Sequence, residues 1–205
     1  MFLNRTDAGK QLSEKIPPLS NPIVLAIPRG GVIIGHMIAK KLGCPLDVII
    51  SKKISPPGLS EYAIGAITHD GTLYQSKNWS EFCNDPGFDD ELLQKKKETK
   101  RRLEKYRGHD KYFLKEKSII LVDDGIATGS TVFAILNWLK KQNTQKIILA
   151  IPVIPSDTYG KLESSVDQII TLKIPDDFFA VGQYYDDFSQ VSDSEVLDIL
   201  KQYHD

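Results

Sequence analysis

The sequence has few cysteines and no long hydrophobic run. Its 205 residues include two cysteines, Cys44 and Cys83, which are too few for a scaffold held by disulfides. Their spacing from each other and from the four histidines fits no zinc motif. No stretch of 18 apolar residues occurs, and the N-terminal segment lacks the apolar core of a signal peptide. We therefore expect a cytoplasmic protein with no membrane partner.

The sequence also lacks an excess of charge of either sign. Its 26 lysines and arginines nearly balance 27 aspartates and glutamates, for a net charge of −1. A general nucleic-acid binder usually has a basic excess, so no nucleic-acid partner is expected.

Charge is nevertheless segregated along the chain. Residues 91–117 hold 11 basic residues against five acidic ones, whereas residues 176–205 hold eight acidic residues and one lysine. The basic segment is interpreted either as a solvated helical face or as a docking surface, for the acidic tail of a second subunit or for RNA. We expect a homodimer.

Short apolar runs alternate with segments of helical spacing, which is typical of a parallel sheet flanked by helices. The fold class predicted is α/β, a three-layer, doubly wound, mainly parallel sheet with a small hood subdomain. The predicted strands of this sheet are 23–27, 46–50, 118–122, 146–151 and 168–172, and the predicted helices are 34–42, 91–107, 132–139, 156–164 and 194–203.

Outside these elements the sequence predicts a loop, a hairpin and an irregular stretch. Residues 51–60 are rich in turn formers and are predicted to be a loop. Residues 63–67 and 72–74 are predicted to pair around the turn Asp70-Gly71. Residues 76–90 are expected to be irregular. The chain is expected to be one domain, 1–205, with a helical insertion at 76–117 and a C-terminal hood and tail at 173–205.

Ligands of such sheets bind beyond the carboxyl ends of the strands, where three loops are expected, at 28–31, 51–53 and 123–131. The third loop opens a helix, so its free backbone N–H groups and hydroxyls favour an anion, and Gly129 allows close approach. Asp123 and Asp124 would repel a phosphate but suit sugar hydroxyls, or a cation held through water. The combination predicts a sugar phosphate ligand.

Two alternatives stay open at this point. An acidic strand end followed by a capped helix also occurs in doubly wound folds without any such function. A phosphoaspartate receiver also has acidic strand ends and a lysine, but it gives no reason for the Thr-Gly-Ser-Thr run at 128–131.

The third loop, Val-Asp-Asp-Gly-Ile-Ala-Thr-Gly-Ser-Thr at 122–131, resembles the phosphoribosyl pyrophosphate (PRPP) motif of type I phosphoribosyltransferases. Ile-Pro-Arg-Gly-Gly-Val at 27–32 is similar to the pyrophosphate loop of the xanthine-guanine type, which often holds a non-proline cis peptide, here near Arg29-Gly30. The pattern continues through 52–67 and resembles a generic bacterial group of unsettled substrate. The resemblance implies the type I phosphoribosyltransferase fold.

The resemblance also implies roles for individual residues. Asp123 and Asp124 would hold the ribose hydroxyls and, with Arg29 and Lys53, act in catalysis. The 5′-phosphate would be bound by Ala127, Thr128, Gly129, Ser130 and Thr131. The pyrophosphate would be bound by Arg29, Gly30, Gly31, Lys52 and Lys53. The loop at 55–60 together with Glu61 would form a lid.

The segment 174–186 is similar to the base-binding hood of hypoxanthine-guanine enzymes, and we call it the hood. By this resemblance Phe179 would stack on a base, Val181 would offer backbone groups, and Asp186 would lie near magnesium and pyrophosphate. The metal would be Mg²⁺, held mostly through water by Asp123, Asp124 and Asp186. The alternative is that the hood aromatics only pack the core and a lid.

Two departures limit the choice of acceptor. Ala127 stands where hypoxanthine-guanine enzymes often have an aspartate that acts on the purine. Ile151-Pro152-Val153 stands where they position a lysine. The function implied is Mg²⁺-dependent transfer of 5-phosphoribosyl from PRPP to a nitrogenous base or amine, as in nucleotide salvage. The alternative is a non-catalytic regulator that binds PRPP or a nucleotide.

Overall fold

The computed structural model describes residues 1–56, 58–59 and 62–203. The strands are β1 Pro22–Ala26, β2 Leu46–Val48, β3 Ser51–Ile54, β4 Gly65–Thr68, β5 Leu73–Gln75, β6 Ser118–Val122, β7 Lys146–Val153 and β8 Gln168–Lys173. The helices are α1 Arg5–Ser13, α2 Gly30–Leu42, α3 Trp79–Phe82, α4 Phe88–Arg107, α5 Ser130–Leu139, α6 Ser156–Glu163 and α7 Asp193–Leu200, with a 3₁₀ turn at Val181–Tyr184.

The chain forms two compact units, each of which is described by itself. The first unit comprises Met1–Ile49, Leu114–Thr128 and Asn143–Asp205. The second unit comprises Ile50–Phe113 and Gly129–Gln142.

A five-stranded sheet in the order β2-β1-β6-β7-β8 forms the centre of the first unit. All of its neighbouring strands are parallel. Helix α2 packs on β1, β2 and β6, α1 packs on α2 and on β7 and β8, and α7 packs against α2. β6 is apolar at nearly every position and completely buried, as expected for a central parallel strand. The predicted mainly parallel α/β sheet is confirmed.

The order of the strands creates a switch point between β1 and β6, since the chain builds outward from β1 to β2 and then in the other direction from β6 to β8. At a switch point the loops that follow the two strands diverge and leave a crevice at their carboxyl ends, where ligands of open α/β sheets bind. The loops after β1 and β6 are therefore the expected place for a site.

The second unit contains an antiparallel sheet in the order β3-β4-β5, with α4 and α5 packed on it. Its core includes Ile54, Ile64, Ile67 and Phe88. The turn after β4 is stabilised by Asp70, whose carboxylate accepts hydrogen bonds from Thr68 and Thr72. The predicted hairpin around Asp70-Gly71 is confirmed.

Two sequence predictions in this unit are wrong. Residues 51–54 were predicted as loop but form β3, because the edge of β4 pairs with them and Ile54 packs into the core. Residues 76–90 were predicted to be irregular, but α3 lies there and α4 begins at Phe88. Helix α4 starts earlier than its basic segment because Asp89, Asp90 and Glu91 lie in its first turn, where acidic side chains complement the helix dipole.

Among the residues described, no helix is long and apolar enough to span a bilayer. The domain limits stated above (1–205, 76–117 and 173–205) stay a prediction.

Candidate functional site

The loop after β1 continues the alignment of β1 with β6. The N–H of Ile27 donates to the carbonyl of Val122 at 2.8 Å. The Pro28–Arg29 peptide bond is cis. The resemblance implies a cis bond near Arg29-Gly30, which is one bond later in the chain. Helix α2 then begins at Gly30. Residues 28–31 therefore lie directly beside the end of β6.

The two glycines of this loop are in close contact with the loop after β6. A Cβ atom on Gly30 would lie 1.8 Å from Oδ2 of Asp124. A Cβ atom on Gly31 would lie 2.8 Å from the carbonyl oxygen of Val122 and 2.9 Å from the Cα of Asp123. At Gly31 the nearest atoms belong to the main chain, so that position requires glycine, whereas a side chain at Gly30 would force the carboxylate of Asp124 to move. The structure thus brings Gly30 and Gly31 together with the predicted acidic pair.

Asp123 and Asp124 are neighbours with different environments. Oδ1 of Asp123 accepts a hydrogen bond from the N–H of Asp124 at 2.8 Å. Burial among protein atoms raises the pKa of Asp123 well above its ordinary value, and the negative charge of Asp124 raises it further. Asp124 instead forms an ion pair, since its Oδ2 accepts from Nε of Arg5 at 2.6 Å.

The turn that follows Asp123 and Asp124 is fixed by packing and hydrogen bonds to other parts of the chain. Gly125 packs so closely against Val181 that a Cβ atom would lie 2.3 Å from that side chain. The N–H of Ile126 donates to the carbonyl of Val153 at 3.1 Å. The hydroxyl of Thr158 donates to the carbonyl of Ala127 at 2.7 Å. Ala127 and Thr128 themselves are exposed, so the turn combines a fixed backbone with an open surface.

Beyond Thr128 the chain enters α5 through a left-handed residue. Gly129 has φ 76°, a conformation that favours glycine, and α5 begins at Ser130. Ser130 is buried and Thr131 is half-buried. The positive end of the dipole of α5 lies at this entry, which favours an anion there.

The predicted pyrophosphate cations lie in different surroundings. Nη1 of Arg29 is 3.7 Å from Oδ1 of Asp193 at the start of α7. Lys52 and Lys53 belong to the second unit and are consecutive on β3, so their side chains point to opposite faces of that strand. Nζ of Lys52 is 3.7 Å from Oε2 of Glu98, whereas Lys53 is exposed.

The hood presents one large aromatic side chain to solvent. Phe179 is 91% exposed, whereas Phe178 stacks on Tyr184. The N–H groups of Phe179 and Ala180 both donate to Oε1 of Gln183, at 3.3 and 3.4 Å. Val181 is the side chain that packs on Gly125. Asp186 is exposed, and its N–H donates to the carbonyl of Phe2 at 2.8 Å.

Two residues at the acidic pair were not found from the sequence. Arg5 contacts the carboxylate of Asp124, and the hydroxyl of Tyr185 donates to the carbonyl of Asp124 at 2.6 Å. Burial raises the pKa of Tyr185, so it remains a neutral donor. Arg5 is 119 residues away from Asp124 in the chain. No local motif connects such distant positions, and the sequence signal that was available, Asn4 as the N-cap of α1, indicates only a helix.

Within the described part of the chain, no three His, Cys, Asp or Glu side chains converge in a way that could hold a metal ion. Asp186 therefore does not complete a cluster with the acidic pair. The two adjacent carboxylates fit a Mg²⁺ ion that keeps several waters and takes its other ligands from a substrate, which is how Mg²⁺ usually binds.

A sequence model of the phosphoribosyl transferase domain matches residues 4–189. Two curated Mycobacterium tuberculosis proteins, from strains CDC 1551 and H37Rv, are 36% identical to this chain over 209 residues, and both carry phosphoribosyl transferase as a provisional name. The matched region covers 100% of this chain and 47% of each relative. The chain thus spans about half the length of these curated relatives.

Solved structures have the same architecture. The Thermus thermophilus protein TT1426 superposes with a TM-score of 0.84 at 33% identity, covering 100% of this chain and 99% of that one. A purine phosphoribosyltransferase from Pyrococcus horikoshii superposes with a TM-score of 0.52 at 17% identity, covering 92% of this chain and 93% of that one. The second likeness concerns the fold alone.

Proposed function

This chain belongs to the phosphoribosyl transferase domain family, and from that premise we propose that it transfers the 5-phosphoribosyl group of PRPP to a nitrogenous base or amine. Pyrophosphate is the other product. The observation that carries the proposal is the contact of Gly30 with Asp124 and of Gly31 with Asp123, at the adjacent ends of β1 and β6. A loop for the leaving group and acids for the sugar are needed side by side, because the bond that breaks joins the sugar to pyrophosphate.

In the proposed reaction the phosphoribosyl group is bound through its 5′-phosphate and through its ribose hydroxyls. Main-chain N–H groups and hydroxyls of residues 127–131 hold the 5′-phosphate. Asp123 and Asp124 accept hydrogen bonds from the 2′- and 3′-hydroxyls. The bound sugar develops positive charge as its bond to pyrophosphate breaks, and the nearby carboxylates favour that charge. Positioning and charge stabilisation provide most of the rate enhancement, since the protein forms no covalent bond.

The leaving pyrophosphate is held by Arg29 and by the N–H groups of Gly30 and Gly31 in this proposal. Between the two lysines we assign Lys53 this role and not Lys52, because the ammonium of Lys52 already faces Glu98. A bound Mg²⁺ would be held by Asp123 and Asp124, mainly through water, and would neutralise charge on the pyrophosphate. The proposed lid at 55–61 includes Pro57, Ser60 and Glu61, which lie outside the described residues.

The acceptor is proposed only as a class. Ala127 offers no side-chain acid or base toward a purine, and Pro152 and Val153 are buried apolar residues. The exposed ring of Phe179 fits a planar base as the acceptor, since stacking tolerates many bases. Homodimer formation and a cytoplasmic location stay predictions, of which the first can be checked by light scattering.

The test is pyrophosphate release from PRPP and Mg²⁺ across a panel of nucleobases and amines. We expect release with at least one acceptor, and its loss in the double variant Asp123→Asn/Asp124→Asn. Asp198→Asn is the matched control, because Asp198 is an exposed carboxylate on α7, and it should behave as the wild type. Lys53→Ala should weaken pyrophosphate affinity more than Lys52→Ala does.

Two results would contradict the proposal in different ways. Tight PRPP binding in calorimetry without pyrophosphate release for any acceptor would favour a regulator that binds PRPP. Absence of PRPP binding to the wild type would overturn the PRPP site altogether.

A further inference from the structure

Arg5 is a largely buried cation at the proposed ribose site that no motif identifies. It is the first residue of α1, and its side chain is 11% exposed. Its Nε donates to Oδ2 of Asp124 at 2.6 Å. The same contact lies against Gly30, because a Cβ atom there would be 2.7 Å from Nε of Arg5. Arg5, Asp124 and the loop after β1 therefore meet at one point.

The guanidinium of Arg5 is fixed on its other sides as well. Its Cζ lies 3.8 Å from the centroid of the Phe188 ring, in cation–π geometry. Its Nη1 donates to the carbonyl of Ser189 at 2.8 Å. A side chain held on three sides has lost its rotamer freedom before any ligand arrives, so it can impose an orientation on its carboxylate partner.

The backbone around Arg5 is tied to the segment that follows the 3₁₀ turn. The N–H of Phe2 donates to the carbonyl of Tyr184, and the N–H of Asp186 donates to the carbonyl of Phe2, both at 2.8 Å. The hydroxyl of Tyr185 holds the main chain of Asp124. The main chain and the carboxylate of Asp124 are thus anchored by separate contacts, and Arg5 supplies the one on the carboxylate.

We propose that Arg5 is a positioning residue, which orients the carboxylate of Asp124 for the diol of a bound ribose and does not itself bind pyrophosphate. This inference rests on the proposed function, since it concerns the same sugar. It predicts that loss of Arg5 weakens only those ligands that contain the ribose diol. A direct anion ligand would instead affect every ligand that carries pyrophosphate.

Calorimetry in the presence of Mg²⁺ with three probes tests this: PRPP, ribose 5-phosphate and inorganic pyrophosphate. We expect Arg5→Gln to weaken PRPP and ribose 5-phosphate about 10- to 100-fold, as misplacement of a reacting group does. Pyrophosphate affinity should change less than about twofold, which is too small to indicate a lost charge contact. Arg5→Lys should recover part of the loss, because it keeps the charge but lacks the planar fork. Lys10→Gln, an exposed cation on the same helix, is the control.

An equal loss for pyrophosphate would overturn the positioning role and make Arg5 an anion ligand. Unchanged ribose 5-phosphate affinity would overturn it too. If the wild type binds pyrophosphate but neither sugar phosphate, the proposed function fails instead.

In that event a ligand-free measurement still decides the contact. The contact to be tested is the hydrogen bond from Nε of Arg5 to Oδ2 of Asp124. Its loss in Arg5→Gln should shift the NMR signal of the Asp124 side-chain carboxyl carbon relative to the wild type, whereas Lys10→Gln should leave that signal unchanged. A signal equal to that of the wild type in Arg5→Gln would show that Arg5 does not act on this carboxylate.

Discussion

The turn after β6, residues 123–128, and the hood, residues 174–186, are two parts of the first unit that differ in how they are held. In the turn, the carbonyls of Asp124 and Ala127 and the N–H of Ile126 all bond to residues distant in sequence. In the hood, the N–H groups beside the exposed Phe179 bond only weakly, to the nearby Gln183. The turn is thus fixed by other elements, Tyr185 at the end of the hood among them, whereas the part of the hood beside Phe179 is fixed by the nearby Gln183.

This difference corresponds to the two halves of the proposed reaction. The phosphoribosyl donor is the same molecule in every turnover and benefits from a site of fixed geometry. The acceptor side need not be so rigid, and a loop that is exposed and loosely bonded tolerates substitution. The contrast predicts that changes near the turn are costly for stability and binding, whereas a change at the exposed Phe179 affects the acceptor alone.

The largest effect is expected for Gly30→Ala, which forces a methyl group into the contact between the loop after β1 and Asp124. The new Cβ atom would lie 1.8 Å from Oδ2 of Asp124, so the carboxylate or the loop must shift. We expect PRPP affinity to fall about 100-fold and the free energy of unfolding to fall by about 2 kcal/mol. Calorimetry and urea denaturation measure the two effects.

Gly160→Ala is the matched control for this substitution. Gly160 is inside α6, and a Cβ atom there would have no neighbour within 4 Å. Alanine in a helix interior should raise the free energy of unfolding by about 0.5–1 kcal/mol, and PRPP affinity should be unchanged. If Gly30→Ala were as harmless as Gly160→Ala, the close packing of the turn would have no functional importance.

The second effect separates the two acids within the turn. Asp124→Asn removes the charged partner of Arg5, and we expect a loss of about 2–4 kcal/mol in the free energy of unfolding. Asp123→Asn should instead raise the free energy of unfolding by about 1 kcal/mol at neutral pH. The asparagine oxygen can still accept from the N–H of residue 124, and no buried charge has to be kept. Both variants should bind PRPP poorly.

The pH dependence of this stability difference follows from the raised pKa of Asp123. The folded protein binds the proton of the Asp123 carboxyl more tightly than the unfolded chain does. The stability that this proton contributes is therefore complete below the pKa of the unfolded chain and is lost as pH rises through the pKa of the folded protein. The advantage of Asp123→Asn over the wild type should therefore be present at neutral pH and vanish in acid. Urea denaturation at both pH values checks this, and a difference independent of pH would contradict it.

The sequence predicted the turn better than its surroundings for a physical reason. Residues 122–131 encode their structure locally, through a buried strand, a left-handed Gly129 and the start of a helix. The positions of Arg5 and Tyr185 depend on tertiary contacts across more than 60 residues, as the separations of 119 and 61 from Asp124 show. The same limit explains β3, whose strand conformation depends on the edge offered by β4.

The smallest effect on the fold is expected at the hood, for Phe179→Ala. The ring is 91% exposed, so its loss should change the free energy of unfolding by less than about 0.5 kcal/mol. Phe113 is a matched control, since it is 81% exposed and outside the hood. If Phe179 stacks on the acceptor, its removal should raise the acceptor KM about tenfold, which corresponds to a base–aromatic contact of about 1–3 kcal/mol.

PRPP affinity should be unchanged in both variants. A lower PRPP affinity in Phe179→Ala but not in Phe113→Ala would mean that Phe179 also shapes the donor site. The separation between a fixed donor half and a tolerant acceptor half would then fail.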